Sequence, residues 1–203
     1  MSTSIAARRP EATSLLAAVL CCGCLLLLLL ASASVRADAL DGELKVQSAF
    51  VNVEAGVYQL QARVQYPVND QIRAALRDGV SLTFELEAHV DRQRRFWTDA
   101  NIVALSLTRE LVYHTVSERY VVRESGSSEQ LSFPTLEAAL EALGSVERWP
   151  ILVASQAAEP GEYTVSVRAG IRRGRLPDAL RVLLFWADDW HRETEWYAWS
   201  LPR

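Results

Sequence analysis

Apolar and polar residues alternate with a period of two along most of this chain, which sends successive side chains of an extended strand to opposite faces. The cleanest run is Val80 to Asp91. Here Val80, Leu82, Phe84, Leu86, Ala88 and Val90 share one face, while Ser81, Thr83, Glu85, Glu87, His89 and Asp91 share the other. One face is predicted to be core and the other acidic and wet. Val57 to Tyr66 repeats the pattern, with Tyr58, Leu60, Ala62, Val64 and Tyr66 inward and Gln59, Gln61, Arg63 and Gln65 outward. After the Pro160-Gly161 turn, Tyr163, Val165, Val167, Ala169 and Ile171 alternate with Thr164, Ser166, Arg168, Gly170 and Arg172. From Glu43 to Val53 the apolar parity switches near Ser48, which predicts a β-bulge or bend. Glu54-Ala55-Gly56 then predicts a turn that makes a hairpin with the following strand.

The run Thr108 to Val122 is rich in Thr, Val and Tyr, residues that fit a pleated and half-buried surface. It reads as one long strand, with apolar groups of both parities and charges grouped as Arg109-Glu110 and Glu118-Arg119. A central strand is the expected host. Arg109, Glu110, Glu118 and Arg119 are expected to form conformation-setting ion pairs with neighbouring strands. Two carboxylates eight residues apart on one strand lie roughly 26 Å apart at ~3.3 Å per residue, too far for shared acid–base work unless the strand folds back.

Helical spacing occurs twice. Asn69 can cap a short helix carrying Ile72, Ala75 and Leu76, with Gly79 as its stop. Pro134-Thr135 precedes a second helix with the stripe Leu136, Ala139, Leu140 and Leu143 and with Gly144 at its end. Short strands are expected at Gln130 to Phe133, Ile151 to Ala154 and Glu195 to Leu201, and Ala179 to Trp186 reads as a buried strand. About eight strands and two short helices are too few helices to cover a parallel sheet. The predicted fold class is all-β: an immunoglobulin-like antiparallel β-sandwich with one or two short connecting helices, preceded by an N-terminal apolar leader helix.

The leader changes where this domain is expected to work. Arg8 and Arg9 precede an unbroken apolar run from Leu15 to Ala31, and small-residue cleavage patterns follow at Ala31-Ser32-Ala33 and Val35-Arg36-Ala37. Residues 1–37 read as a signal peptide cut after Ala37, or as an uncleaved anchor, since the run reaches the lower length that spans a bilayer. Both readings leave residues 38–203, a single sandwich domain, on the periplasmic side. Cys21, Cys22 and Cys24 all lie within the leader, so the domain has no disulfide or thiol chemistry. Removing Arg8, Arg9 and Arg36 from 21 basic residues leaves 18, and removing Glu11 from 25 acidic residues leaves 24, a net charge of −6 for 38–203. That sign argues against nucleic acid or anionic lipid as a general partner.

Candidate chemistry is sparse. His89, His114 and His191 are far apart in sequence, and the Asp188, Asp189, His191 group matches no metal-ligand spacing. No Gly-x-Ser-x-Gly motif and no phosphate-cradling glycine loop occurs. No catalytic residue, metal ligand or cofactor site is assigned. Trp186, Trp190, Trp196 and Trp199 fall close together at the C-terminal end, where they could form the aromatic plug of the sandwich or a surface that binds a protein or a sugar ring.

The segments Arg109-Glu110-Leu111-x-Tyr113, Glu118 to Val122, Phe133 to Leu140, Leu143-Gly144, Trp149-Pro150 and the Leu-Pro, Phe-Trp and Trp elements from Leu176 to Trp190 run in order through the domain. In them the chain resembles the proteobacterial family catalogued as domain of unknown function 4390. The resemblance implies an exported protein without assigned activity, from a family whose genes often lie beside a membrane sensor kinase and its response regulator. It carries over no catalytic residues. The expected function is a non-catalytic periplasmic protein-interaction module, accessory to a membrane sensor kinase or another envelope protein. The alternative is a module that binds envelope glycan or a small ligand through the C-terminal tryptophans. Contact with the inner membrane is expected only if the leader stays attached.

Overall fold

Two antiparallel sheets face each other across one hydrophobic core, and each expected strand face is explained by which sheet it joins. The structure is a computed structural model, and it describes residues 40–94, 99–157, 159–174 and 190–201. Strands β1 (Lys45–Glu54) and β2 (Val57–Gln65) form a hairpin whose two turn residues, Ala55 and Gly56, have φ of 49° and 78°. Positive φ at both positions matches the twist of the flanking strands, and Gly56 adopts it without steric cost. The register of β1 on β2 shifts between Val46 and Ser48. This is the expected bulge, and it lets Val46 point inward together with Ala49 and Val51. Strand β7 (Ser145–Val153) pairs with the other edge of β2, giving the three-stranded sheet β1-β2-β7.

The larger sheet contains β3 (Leu82–Arg92), β4 (Ala100–His114), β5 (Arg119–Glu124), β6 (Gln130–Phe133), β8 (Tyr163–Arg173), β9 (His191–Glu193) and β10 (Tyr197–Ser200). Its order is β10-β8-β3-β4-β5-β6, with β9 also on the outer side of β8. The expected inward faces of β3 and β8 are buried, from Leu82 through Val90 and from Tyr163 through Ile171. Phe84 meets Tyr66 edge-on with ring centroids 4.7 Å apart. The all-β antiparallel sandwich expected from the sequence is therefore the fold.

Two local expectations are corrected. Thr108 to Val122 is not one strand but the hairpin of β4 and β5, in register from His114 opposite Arg119 to Arg109 opposite Glu124. The turn, Thr115 to Glu118, contains no Gly, Asn or Pro, and its reversal depends on Glu118 adopting φ 52°. Val116 at the tip is 94% exposed, so a β-branched residue that looked like strand interior sits in water. The competing parities resolve: Leu111 pairs with Val122, and Tyr113 with Tyr120, with the two tyrosine rings 5.0 Å apart. Second, β7 begins directly at the end of the preceding helix, six residues before the expected start at Ile151. His191 to Glu193 forms a further strand on β8. The strand expected at Ala179 to Trp186 and the leader lie outside the described residues.

Both helices form where capping signals place them. In α1 (Asp70–Arg77) the Asn69 side chain accepts from the Ile72 N–H at 2.7 Å, and Ile72 and Leu76 are buried. In α2 (Leu136–Gly144) Thr135 accepts from the Ala138 N–H at 3.2 Å, and Leu136, Ala139, Leu140 and Leu143 enter the core. Helix α2 touches β2 and β7 of one sheet and β5 and β6 of the other, so it bridges the two. Arg73 joins α1 to α2 through a 2.6 Å bond to Glu137, whose carboxyl this guanidinium holds below the usual range. At the other extremity Arg192 donates to the carbonyls of Leu40 at 2.7 Å and Gly42 at 2.9 Å, tying the first described residues to β9. No helix among the described residues is long and apolar enough to cross a membrane.

Gly144 does not take the left-handed conformation usual after a helix. A Cβ there would collide with the carbonyl oxygen of Val64 in β2, so glycine is required by the close approach of backbone to helix end. Gly144→Ala is expected to cost about 3 kcal/mol through forced backbone movement, seen as a lower urea midpoint with an unchanged slope.

Candidate functional site

The polar parity of β3 and β8 builds the outer face of the larger sheet. Pairing sets Glu87 opposite Arg168, His89 opposite Ser166, and Glu85 opposite Gly170. β9 extends the face beyond β8, with Glu193 opposite Gly170 and His191 opposite Arg172. Because Gly170 carries no side chain, Glu193 leans across it toward Arg168.

Arg168 is the hub. Its guanidinium donates to Glu87 at 2.8 Å and pairs with Glu193 at 2.7 Å, so it clamps β3 and β9 onto β8 from both sides. The same guanidinium carbon lies 4.7 Å from the centroid of the Trp196 ring. His89 lies 4.7 Å from that ring, tilted by 39°. A cation against an aromatic face gains from the ring quadrupole and fixes the ring's orientation. Trp196 nevertheless remains 39% exposed. Around this centre, Ser106 donates to Glu85 at 2.6 Å, Arg172 lies 3.9 Å from Glu85, and His191 lies 3.2 Å from Glu193. The depression among these side chains has room for about one water molecule.

The arrangement can hold an aromatic platform in place and present charge of both signs. Its carboxylates are engaged by guanidinium or hydroxyl groups, a pattern of mutual neutralisation. Among the described residues no group of three or more His, Cys, Asp and Glu is positioned to hold a metal ion.

The C-terminal tryptophans do not share one surface. Trp190 and Trp199 are half-buried and pack against the core, Trp196 lies on the outer face, and Trp186 is outside the described residues. Trp199 has Tyr197 as its neighbour at 5.7 Å. Sequence reasoning missed Arg168, Glu87, Glu193 and His89. Their signal was present in the opposite charges at polar positions of Val80 to Asp91 and Tyr163 to Ile171, but it becomes readable only once β3 is known to lie beside β8.

Of the four charges expected to form ion pairs with neighbouring strands, Arg109 does so, and Arg119 instead bonds the neighbouring strand through Ser132. Arg109 pairs with Glu124 on the adjacent strand at 2.9 Å, and donates to the carbonyls of Leu143 at 3.2 Å and Ser145 at 3.3 Å. Arg119 donates to the Ser132 hydroxyl at 2.6 Å and the Ser132 carbonyl at 2.8 Å. Neither Glu110 nor Glu118 forms an ion pair among the described residues. The long strand on which the pairing was expected turns back on itself, and this brings Glu124 and not Glu118 beside Arg109.

With the fold and this face in view, the molecule is defined as a two-sheet antiparallel sandwich domain with a cross-strand ionic network under an exposed tryptophan. The chain belongs to the family described as domain of unknown function 4390, whose model matches residues 41–200. No curated protein and no solved structure matches it significantly.

Arg109→Ala is expected to cost about 3 kcal/mol in a urea titration, because it leaves partly buried carbonyls and Glu124 without their donor. Arg109→Lys should restore only part of this, since an ammonium lacks the forked geometry. Burial pushes the Tyr66 hydroxyl well above the ordinary tyrosine range, partly offset by the Arg109 charge. Its folded pKa is raised, so its contribution is intact below the unfolded value of about 10 and is lost as pH rises beyond it. Tyr66→Phe should therefore flatten the fall in stability above that pH, measured by urea midpoints across an alkaline series.

Proposed function

We propose that this protein is a non-catalytic periplasmic interaction module that docks another envelope protein, the extracytoplasmic part of a membrane sensor kinase being the partner the family resemblance suggests. The observation that carries this reading is Trp196, held exposed over Arg168 and His89 in the middle of the outer sheet face. Tryptophan, tyrosine and arginine dominate binding energy at protein interfaces, above all where the anchor is rigid before contact. Here Trp196 is supported by the Arg168 guanidinium 4.7 Å from its ring centroid. The periplasmic address rests on the leader pattern at residues 1–37, and the sensor-kinase partner on the family resemblance. Two larger openings, beside Tyr66 and Leu140 and beside Arg109 and Leu131, are lined by scattered polar and apolar side chains. They offer less convergent chemistry than the platform does.

A second reading keeps the same residue and changes the partner. An exposed indole flanked by Glu87, Glu193 and His89 also suits a sugar ring, whose C–H face stacks and whose hydroxyls hydrogen-bond.

A photo-reactive amino acid in place of Ser166, which neighbours His89 on this face, is expected to crosslink an inner-membrane protein in the native host. Trp196→Ala should reduce that product at least five-fold while the melting temperature stays within about 2 °C. A crosslink yield unchanged by Trp196→Ala would remove this face from the interaction. A shift of tryptophan fluorescence with envelope glycan fragments, lost in Trp196→Ala, would transfer the platform to the glycan reading.

A further inference from the structure

Six strands border open sheet edges among the described residues, and five carry a feature that discourages pairing with another chain; the half of β4 that runs beyond β5, residues 100–107, has an extra residue, Ile102, in its register against β3. β1 has its bulge between Val46 and Ser48 and is charged at both ends, Lys45 and Glu54. β7 carries Pro150, two register shifts and Arg148 with φ 49°. On β6 the Arg119 guanidinium occupies the Ser132 carbonyl. β9 consists of His191, Arg192 and Glu193, all titratable or charged. β10 is Tyr197-Ala198-Trp199-Ser200, with no charge, proline or bulge within the strand.

The polarity of that edge can be assigned. The Leu201 N–H donates to the Tyr163 carbonyl at 2.8 Å, toward β8. By the alternation of an antiparallel ladder, Tyr197 and Trp199 also turn their backbone groups to β8, whereas Ala198 and Ser200 turn theirs to the open edge. Ala198 and Ser200 are exposed and Tyr197 is 41% exposed, so the edge is reachable.

We propose that β10 is a homodimerisation edge, joining antiparallel to the β10 of a second copy about a two-fold axis at Trp199. The sequence fits itself in this register. Ala198 lies opposite Ser200 of the second copy, and each such pair exchanges both of its free hydrogen bonds. Trp199 meets its own copy as a non-hydrogen-bonded pair, the closer kind, where side chains touch. Tyr197 meets Leu201. An edge this short buries less than the roughly 1,600 Å² of a standard interface. The dimer is therefore concentration-dependent. It is independent of the partner reading, which concerns the outer sheet face at Trp196.

The test uses full-length chains carrying Ala198→Cys or Ser200→Cys under different epitope tags, co-expressed and treated with a short bismaleimide. A crosslinked dimer should form at least five-fold more when the two variants are mixed than when either is paired with itself. Cys21, Cys22 and Cys24 contribute equally to every combination. Ala198→Pro removes an edge N–H without touching the ladder to β8, and should abolish co-retrieval of differently tagged chains while the protein stays folded. Equal or absent crosslinking in mixed and unmixed pairs overturns the proposal, as does undiminished co-retrieval of folded Ala198→Pro chains. If that variant does not fold, the cysteine comparison alone decides.

Discussion

Arg109 satisfies at one point what three separate elements leave unfinished. Helix α2 ends with no basic residue in its last turn, so the negative end of its dipole and its terminal carbonyls need a donor from elsewhere. The guanidinium arrives from β4 of the opposite sheet, bonds the carbonyls of Leu143 and Ser145, and is itself held by Glu124 of β5. Both carbonyl bonds lie at the junction where α2 passes directly into β7. The tie therefore fixes how the smaller sheet sits over the larger one. Gly144 lies between those carbonyls and against the β2 backbone, so the absence of a side chain there and the reach of Arg109 are parts of one fitting.

The outer face follows from the same sandwich. With one side of β3 and β8 committed to the core, their remaining side chains are free to pair across strands, and opposite charges at matched positions do so. Arg168 links three strands and also supports an aromatic ring. A contact of this kind favours one orientation of the ring before any partner arrives, which reduces the entropic cost of binding. The sheet thus supplies rigidity on one side and recognition chemistry on the other.

The strands that were legible in the sequence are those whose neighbours do not matter to the pattern. Val80 to Asp91 and Tyr163 to Ile171 show their buried face by alternation alone, and Asn69 and Thr135 announce helix starts through local hydrogen bonds. The reversal at Thr115 to Glu118 was hidden because Ser117 is its only residue with a turn preference and it stands without Gly, Asn, Asp or Pro, and the conformation is imposed by pairing on both sides. The Arg168 network was hidden for a related reason. Charge complementarity between β3 and β8 depends on a contact between residues 81 positions apart, which no local pattern encodes. The tryptophans misled by proximity: neighbours in sequence were divided between core and surface by strand parity and by the irregular step at Thr194 to Trp196.

Arg192 reaches back across 152 residues to the Leu40 carbonyl and 150 to that of Gly42. Together with β9 and β10, which follow β8 in sequence and cover it, this closes the domain late in its order of synthesis. A chain emerging in order must hold β8 with one side unpaired until β9 and β10 follow. Nascent protein would thus pass through a stage with a bare central strand, when chaperone contact matters most. Deletion of β9 and β10 would make that passing stage permanent.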